Sequence, residues 1–93
     1  MPTHITQIED TESGKTVLHV EGSMMLEDAM LLEKIALDMR SKIKKNITLD
    51  FADLNFLDRE SAPILKRLER EYNFEIAGLM IFLQKIVDET VRN

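Results

Sequence analysis

Near its start the chain alternates between apolar and polar residues at two places. The segment His4–Glu9 has Ile5 and Ile8 as its apolar residues, and Thr16–Glu21 alternates more strictly, so both predict strands. The polar residues between the two segments contain Gly14. Two short strands joined by a glycine-containing turn are typical of a β-hairpin.

Farther along, the spacing of apolar residues changes to that of a helix. From Leu26 to Lys45 they keep to one broad face, which predicts the first helix. The residues of this face are Leu26, Met30, Leu32, Ile35, Ala36, Met39 and Ile43. Acidic residues lie toward the start of this segment and basic residues toward its end, a distribution that complements the helix dipole.

The second half of the chain continues the alternation of strands and helices. It predicts a strand at Ile47–Phe51 and a loop at Ala52–Asn55. A helix at Ser61–Tyr72 and a short strand at Phe74–Ala77 follow. Phe56 and Leu57 are predicted to be a buried apolar pair after the loop. The tail Leu79–Val91 predicts a third helix, although Leu79–Leu83 also fits an extension of the last strand.

The order of elements predicts an α/β fold in which the chain forms one domain over residues 1–93. The order is β-β-α-β-α-β-α. Strands that are separated by helices should lie parallel, while the opening hairpin adds an antiparallel pair. We therefore expect a mixed sheet of about four strands with about three helices packed on it.

Composition narrows the classes of function. The chain has no cysteine, which excludes disulfides, thiolate metal sites and cysteine nucleophiles. Its formal net charge of −5 disfavours nucleic acid and anionic membrane surfaces as partners. Neither a signal peptide nor an apolar run long enough to span a bilayer is visible, so we expect a cytoplasmic protein without membrane insertion.

The polar residues do not form a recognisable catalytic pattern. Asp50, Asp53 and Asp58 are hard-cation ligands by type, but their placement on a strand and around a loop favours a chance cluster. His4 and His19, the two histidines of the chain, have no acid–histidine spacing that suggests a metal. We predict no catalytic residue, no metal and no cofactor, and hence a protein that is not an enzyme.

The central segment carries a resemblance to a known family. Residues Ile47–Asp58, read as a strand ending in Asp-Phe, a short loop, an apolar pair and a second Asp, resemble the signature of STAS domains. Val17–Gly22 resembles the second strand of that family, and the order of elements is similar over roughly residues 15–92. The resemblance implies protein binding rather than catalysis. Typical members are anti-sigma-factor antagonists, controlled by phosphorylation of a Ser or Thr directly after the second Asp.

The chain departs from the STAS pattern at this control point. Where the family usually has Asp-Ser-Ser-Gly, the sequence reads Asp58-Arg59-Glu60-Ser61. Arg59 therefore occupies the phosphoacceptor-equivalent position, where it cannot accept a phosphate. Ser61 is a candidate for a displaced phosphosite, but Pro63 favours the alternative that Ser61 caps the second helix.

The resemblance also implies a partner-binding surface. Its expected residues are Met24, Met25, Asp58, Arg59, Glu60 and Ser61. Met25 stands where the family often has an acidic residue. Because adjacent residues rarely face the same way, we expect one of Met24 and Met25 to be buried in the core and the other to be exposed. For Asp58 the alternative is a cap-like acid, and for Arg59 and Glu60 it is two solvated first-turn residues.

We therefore expect a non-catalytic, anti-sigma-factor antagonist-like domain for partner switching or scaffolding in bacterial signalling, without a phospho-switch at the usual position. Its partner would be an anti-sigma factor or serine-kinase-like protein, or another STAS protein. The alternative is a STAS-type accessory subunit of a lipid or anion transporter. The run Leu79–Leu83, apolar all round, is also suited to a homodimer contact with a second copy of the chain.

Overall fold

The fold is described from a computed structural model, whose residues 3–79 are considered throughout. The elements, in chain order, are β1 (His4–Asp10), β2 (Lys15–Met24), α1 (Leu26–Ile43), β3 (Ile47–Leu57), α2 (Ala62–Arg70) and β4 (Glu75–Ala77). The predicted α/β class is confirmed. The third helix predicted for the tail falls, beyond Leu79, outside the described residues.

The four strands form one mixed sheet in the order β1-β2-β3-β4. β1 and β2 form the antiparallel hairpin that the Gly14 turn predicts, and Gly14 has a φ of 72°. β2 pairs with β3, and β3 with β4, in parallel. The carboxyl ends of β2 and β3 therefore lie side by side, where each strand passes into the helix that follows it.

β3 is longer than its sequence predicts. The segment Ala52–Asn55, expected to be a loop, continues the strand as far as Leu57. Two irregularities in the pairing with β2, between His19 and Glu21 and between Gly22 and Ser23, accommodate the extension. Bulges of this kind bend and twist a strand, which changes the alternation of buried and exposed residues.

The core lies between one face of the sheet and both helices. Alternate residues of β2, such as Leu18 and Val20, are fully buried there with Leu49 and Phe51 of β3. The buried residues of the helices are Ala29, Leu32 and Ala36 in α1 and Ile64, Leu65 and Leu68 in α2. Between helices, Arg67 donates two hydrogen bonds to Glu33, at 2.6 and 2.8 Å.

The inward face of α1 is narrower than the sequence pattern indicates. Met30, expected on that face, is 55% exposed, and its neighbour Leu31 is 52% exposed. Ala36 is fully buried as the pattern predicts, and Ala29, which the pattern does not include, is also fully buried, so the helix contacts the sheet along a stripe that excludes Met30. Within residues 3–79, neither α1 nor α2 combines the length and the apolar character that a membrane-spanning helix needs.

Candidate functional site

The residues expected at the partner-binding surface meet where β2 and β3 end. Met24 and Leu57 are paired at the last position of the two strands. One residue later, the backbone N–H of Asp58 donates to the carbonyl of Met24 at 3.0 Å. The two chain segments Met24–Leu26 and Asp58–Ser61 thus run together, and we call them the Asp58 junction.

The carboxylate of Asp58 connects both segments of this junction. Its Oδ2 accepts a hydrogen bond from the backbone N–H of Leu26, the first residue of α1, at 3.0 Å. Its Oδ1 accepts from the backbone N–H of Ser61 at 2.9 Å and also from the Ser61 hydroxyl. One side chain therefore holds the start of α1 and the turn that leads into α2.

These contacts favour the ionised form of Asp58. The hydrogen bond from the Ser61 hydroxyl is the largest cause that holds the pKa of Asp58 below its ordinary value of 3.8. The backbone N–H groups of Ser61 and Leu26 lower the pKa further, while burial acts in the opposite direction. A carboxylate in this position is a structural acceptor, and each of its two oxygens already has a donor.

Ser61 lies at the start of α2 with its side chain turned inward. It is fully buried, and its carbonyl accepts from the backbone N–H groups of Ile64 and Leu65 at 3.0 and 3.2 Å. Pro63 lies in the first turn, as the sequence indicates, but the Ser61 hydroxyl donates to Asp58 instead of capping a backbone N–H of α2. Because this conformation offers no exposed hydroxyl, it disfavours Ser61 as a displaced phosphosite.

Arg59 and Glu60 form the outer surface of the same turn. Both side chains are exposed, and within residues 3–79 neither takes part in an ion pair. Arg59 thus presents its guanidinium group to solvent. The turn therefore exposes the charged side chains of Arg59 and Glu60 and buries the hydroxyl of Ser61.

The two adjacent methionines separate as expected, and one correction follows. Met24 is fully buried in the core, so it does not belong to the partner-binding surface in which it was placed. Its side chain shares the core-facing side of β2 with Leu18 and Val20. Met25 is 50% exposed, and its backbone N–H donates to Asp28 in the first turn of α1 at 3.0 Å.

Phe56 is a surface residue that the sequence pattern misses. It was expected to be buried beside Leu57, but it is 48% exposed. Its place opposite Ser23, beyond the second pairing irregularity, puts it one position before the end of the strand pair. Two large apolar side chains therefore lie exposed here: Met25 within the Asp58 junction, and Phe56 two residues before its Asp58–Ser61 segment.

The other acids named from the sequence lie elsewhere. On the sheet face that carries neither α1 nor α2, His19 of β2 faces Asp50 at 3.4 Å and Asp53 at 2.9 Å. Asp58 is engaged with Leu26 and Ser61, so the three aspartates do not converge. Within residues 3–79, no three histidine or acidic side chains are arranged to hold a metal ion.

Asp50 also has a packing role. Gly78, with a φ of 74°, lies so close that an added Cβ would come within 2.5 Å of the Asp50 Oδ1 and 2.4 Å of the Ala52 backbone nitrogen. Asp50 Oδ1 in turn accepts from the Ala52 N–H at 3.0 Å. These contacts assign Asp50 to the packing of β4 against β3 rather than to the Asp58 junction.

An apolar groove borders the junction on the side of α2. It has a volume of about 290 Å³ and is lined by Phe51, Leu57, Ala62, Leu65, Lys66, Glu69, Arg70, Ile76 and Leu79. The groove is mostly apolar, and its three charged residues, Lys66, Glu69 and Arg70, are exposed residues of α2, so we assign it no chemistry.

No protein-family model matches the chain, and no curated protein matches it either. The function must therefore be inferred from the residues of the Asp58 junction and from the resemblance of the segment Ile47–Asp58 to the STAS signature.

Proposed function

We propose that this chain is a non-catalytic, protein-binding regulatory domain of the STAS type, and that it binds its partner through the Asp58 junction without phosphorylation control at Arg59. The observation that carries the proposal is the surface of the turn after β3. Arg59 is exposed there, while the Ser61 hydroxyl is buried against Asp58.

The chemistry of the surrounding surface supports binding to a protein. Met25 and Phe56, which are 50% and 48% exposed, provide apolar contact area near a charged turn. Interfaces are enriched in aromatic residues, methionine and arginine, and the flexible methionine side chain adapts to the shape of a partner. Arg59 adds a group that can bind a partner carboxylate in two places at once.

The absence of a phosphate acceptor at position 59 changes how such a domain would act. Phosphorylation adds nearly two negative charges at physiological pH and can release a partner by repulsion. An arginine at that position has no hydroxyl to phosphorylate and carries a positive charge instead of the negative charges of a phosphate. The partner we propose is an anti-sigma-type, serine-kinase-like protein or another STAS protein, bound constitutively as in a scaffold.

A pair of matched variants tests whether the junction is the binding surface. The variant Met25→Asp/Phe56→Asp places charges on the proposed surface, while Met30→Asp/Leu31→Asp does the same at two equally exposed residues of α1. In pull-downs from the source organism, we expect the first variant to lose a kinase-like or STAS partner and the second to retain it. Equal retention by both would move the binding surface away from the junction.

The identity of the captured proteins separates the two functions considered from the sequence. Recovery of a kinase-like or STAS protein supports the signalling role. Recovery of a permease and an ATPase instead supports a transporter accessory subunit, and removes the signalling proposal.

The phosphorylation part of the proposal has its own test. After incubation with the captured kinase and ATP, we expect the intact mass of the chain to be unchanged. A phosphate located on Ser61 would show that the switch is displaced and that the junction opens to expose the hydroxyl. The variant Ser61→Ala serves as the control, because it removes that hydroxyl alone.

A further inference from the structure

β1 is the edge strand at the hairpin side of the sheet. In the described part of the chain it pairs only with β2, through seven consecutive residue pairs from His4–Glu21 to Asp10–Lys15 without interruption. In an antiparallel pair, alternate residues direct their N–H and C=O groups away from the partner strand. The outer edge of β1 is therefore a regular row of donors and acceptors with no partner strand within residues 3–79.

This edge lacks the usual protection against pairing. Edge strands are commonly shielded by Lys or Pro, by bulges or by short length. β1 is seven residues long, its sequence HITQIED contains neither Lys nor Pro, and its pairing has no irregularity. The opposite edge differs, because β4 has only three residues and is followed directly by Gly78.

The acidic residues of β1 are engaged inside the molecule. Both carboxylate oxygens of Glu9 lie within hydrogen-bond distance of the Thr16 hydroxyl, at 3.1 and 3.2 Å. Asp10 accepts from the backbone N–H of Glu12 at 3.0 Å and from the Ser13 hydroxyl at 2.8 Å. These charges face the hairpin and its turn, which leaves the outer backbone edge accessible.

The sequence of the strand is complementary to itself in one orientation. In an antiparallel pair centred on Gln7, His4 lies opposite Asp10, and Thr6 lies opposite Ile8 of the second copy. The Ile8 side chains, 45% exposed in one copy, then become covered by Thr6 of the other copy. A parallel arrangement in register would instead place Glu9 and Asp10 against the same residues of the other copy.

We propose that β1 is a homodimerisation edge, at which a second copy of this chain adds its own β1 antiparallel about Gln7 to form a continuous eight-stranded sheet. The contact is isologous, so the two-fold axis closes it and no filament results. A single strand pair is a small interface, and we expect a dissociation constant between about 1 µM and 1 mM. The Asp58 junction lies at the carboxyl ends of β2 and β3 and takes no part in this pairing, so each dimer presents two junctions.

Charge variants at Thr6 and Ile8 test the pairing. Both side chains are exposed in the single chain, and each faces the other across the proposed dimer. We expect sedimentation equilibrium to show a concentration-dependent dimer for the wild type, a monomer for Thr6→Lys/Ile8→Lys, and a dimer again for Thr6→Lys/Ile8→Glu. Circular dichroism would establish that all three are folded.

A control variant separates this edge from the rest of the surface. Met30→Lys charges an equally exposed apolar residue of α1 and should leave the dimer unchanged. Dissociation of the dimer by Met30→Lys, or a wild-type chain that stays monomeric up to about 1 mM, would overturn the proposal. So would a dimer that survives Thr6→Lys/Ile8→Lys.

Cysteine cross-linking tests the register, since the chain has no cysteine of its own. Directly opposed residues have Cα atoms about 4.5–5.5 Å apart, within the range of a disulfide. Gln7→Cys should therefore form a cross-linked dimer under oxidation. His4→Cys places the two sulfurs six residues out of register, roughly 20 Å apart, and should not. Equally fast cross-linking of both variants would contradict pairing about Gln7.

Discussion

Two turns of this protein have nearly the same sequence and different structural roles. The hairpin turn reads Asp10-Thr11-Glu12-Ser13, and the turn before α2 reads Asp58-Arg59-Glu60-Ser61. In both, the aspartate accepts from the backbone N–H and the hydroxyl of the serine three residues later. In both, this serine hydroxyl is the largest cause of a lowered aspartate pKa.

The difference lies in what surrounds the two turns. Ser13 is exposed, and the carboxylate of Asp10 receives its hydrogen bonds from within the turn itself. Ser61 is fully buried, and Asp58 also accepts from Leu26, 32 residues away along the chain. The four-residue pattern thus determines the local hydrogen bonds, whereas the neighbouring strand end determines whether the turn stabilises the tertiary structure.

The largest predicted contrast between the turns comes from a negative charge at each serine. Ser61→Asp places a second carboxylate in a buried site beside Asp58, and we expect it to lower the free energy of unfolding by at least about 3 kcal/mol. Ser13→Asp is exposed and should change it by no more than about 0.5 kcal/mol. Urea denaturation of both variants measures the difference, and similar losses would show that Ser61 is not shielded.

Removal of the aspartates gives the next contrast. Asp58→Ala deprives donors in two separate segments of their acceptor, so we expect a fall in melting temperature that exceeds the fall caused by Ser61→Ala. Asp10→Ala affects one solvent-accessible turn, and its effect should be clearly smaller. Faster amide hydrogen exchange of Leu26 in Asp58→Ala, but not in Asp10→Ala, would locate the loss at the junction.

The serine hydroxyls should differ more modestly. Ser61→Ala removes one buried donor, for which we expect a loss of about 1 kcal/mol, or a fall in melting temperature of about 4–8 °C. Ser13→Ala should lie within the error of a thermal melt, because water can replace the lost hydrogen bond. An effect of Ser13→Ala as large as that of Ser61→Ala would mean that burial does not distinguish the two turns.

The pH dependence of the free energy of unfolding is the smallest difference that we expect between the two turns. Because the folded pKa of Asp58 lies below its ordinary value of 3.8, its ionised form stabilises the folded state. That contribution is present above the unfolded pKa and is lost as the pH falls through the folded pKa. We expect the stability difference between the wild type and Asp58→Asn to shrink below about pH 4. The stability difference between the wild type and Asp10→Asn should also shrink in acid. A difference that grows in acid would contradict a lowered aspartate pKa in that turn.

Much of the fold follows from the spacing of apolar residues. Regular alternation predicts the hairpin, and helical spacing places the first helix within two residues of its observed end at Ile43. The pattern fails where the sheet is irregular. β3 continues through Ala52–Asn55 because bulges in its pairing with β2 absorb the extra residues, and pairing across strands is not visible in one strand alone.

The candidate site is harder to predict than the fold, for reasons that two residues illustrate. Phe56 is apolar and was expected inside, but it lies beyond the second bulge, where alternation no longer indicates which face a residue occupies. Asp58 was expected near a helix start, yet its bond to Leu26 depends on how two strand ends meet. Met24 and Met25 show the same limit. Their adjacency predicts that one is buried and the other exposed, but it does not predict which one is buried.

The shared carboxylate of Asp58 has a consequence for recognition. The segment that enters α1 and the segment that enters α2 both donate backbone N–H groups to this one carboxylate, so a displacement of either segment that moves Asp58 also strains the hydrogen bond of the other. A protein that docked on the junction would therefore contact two loops that share one acceptor. Displacement of either loop from Asp58 would then disturb the surface that the other loop presents.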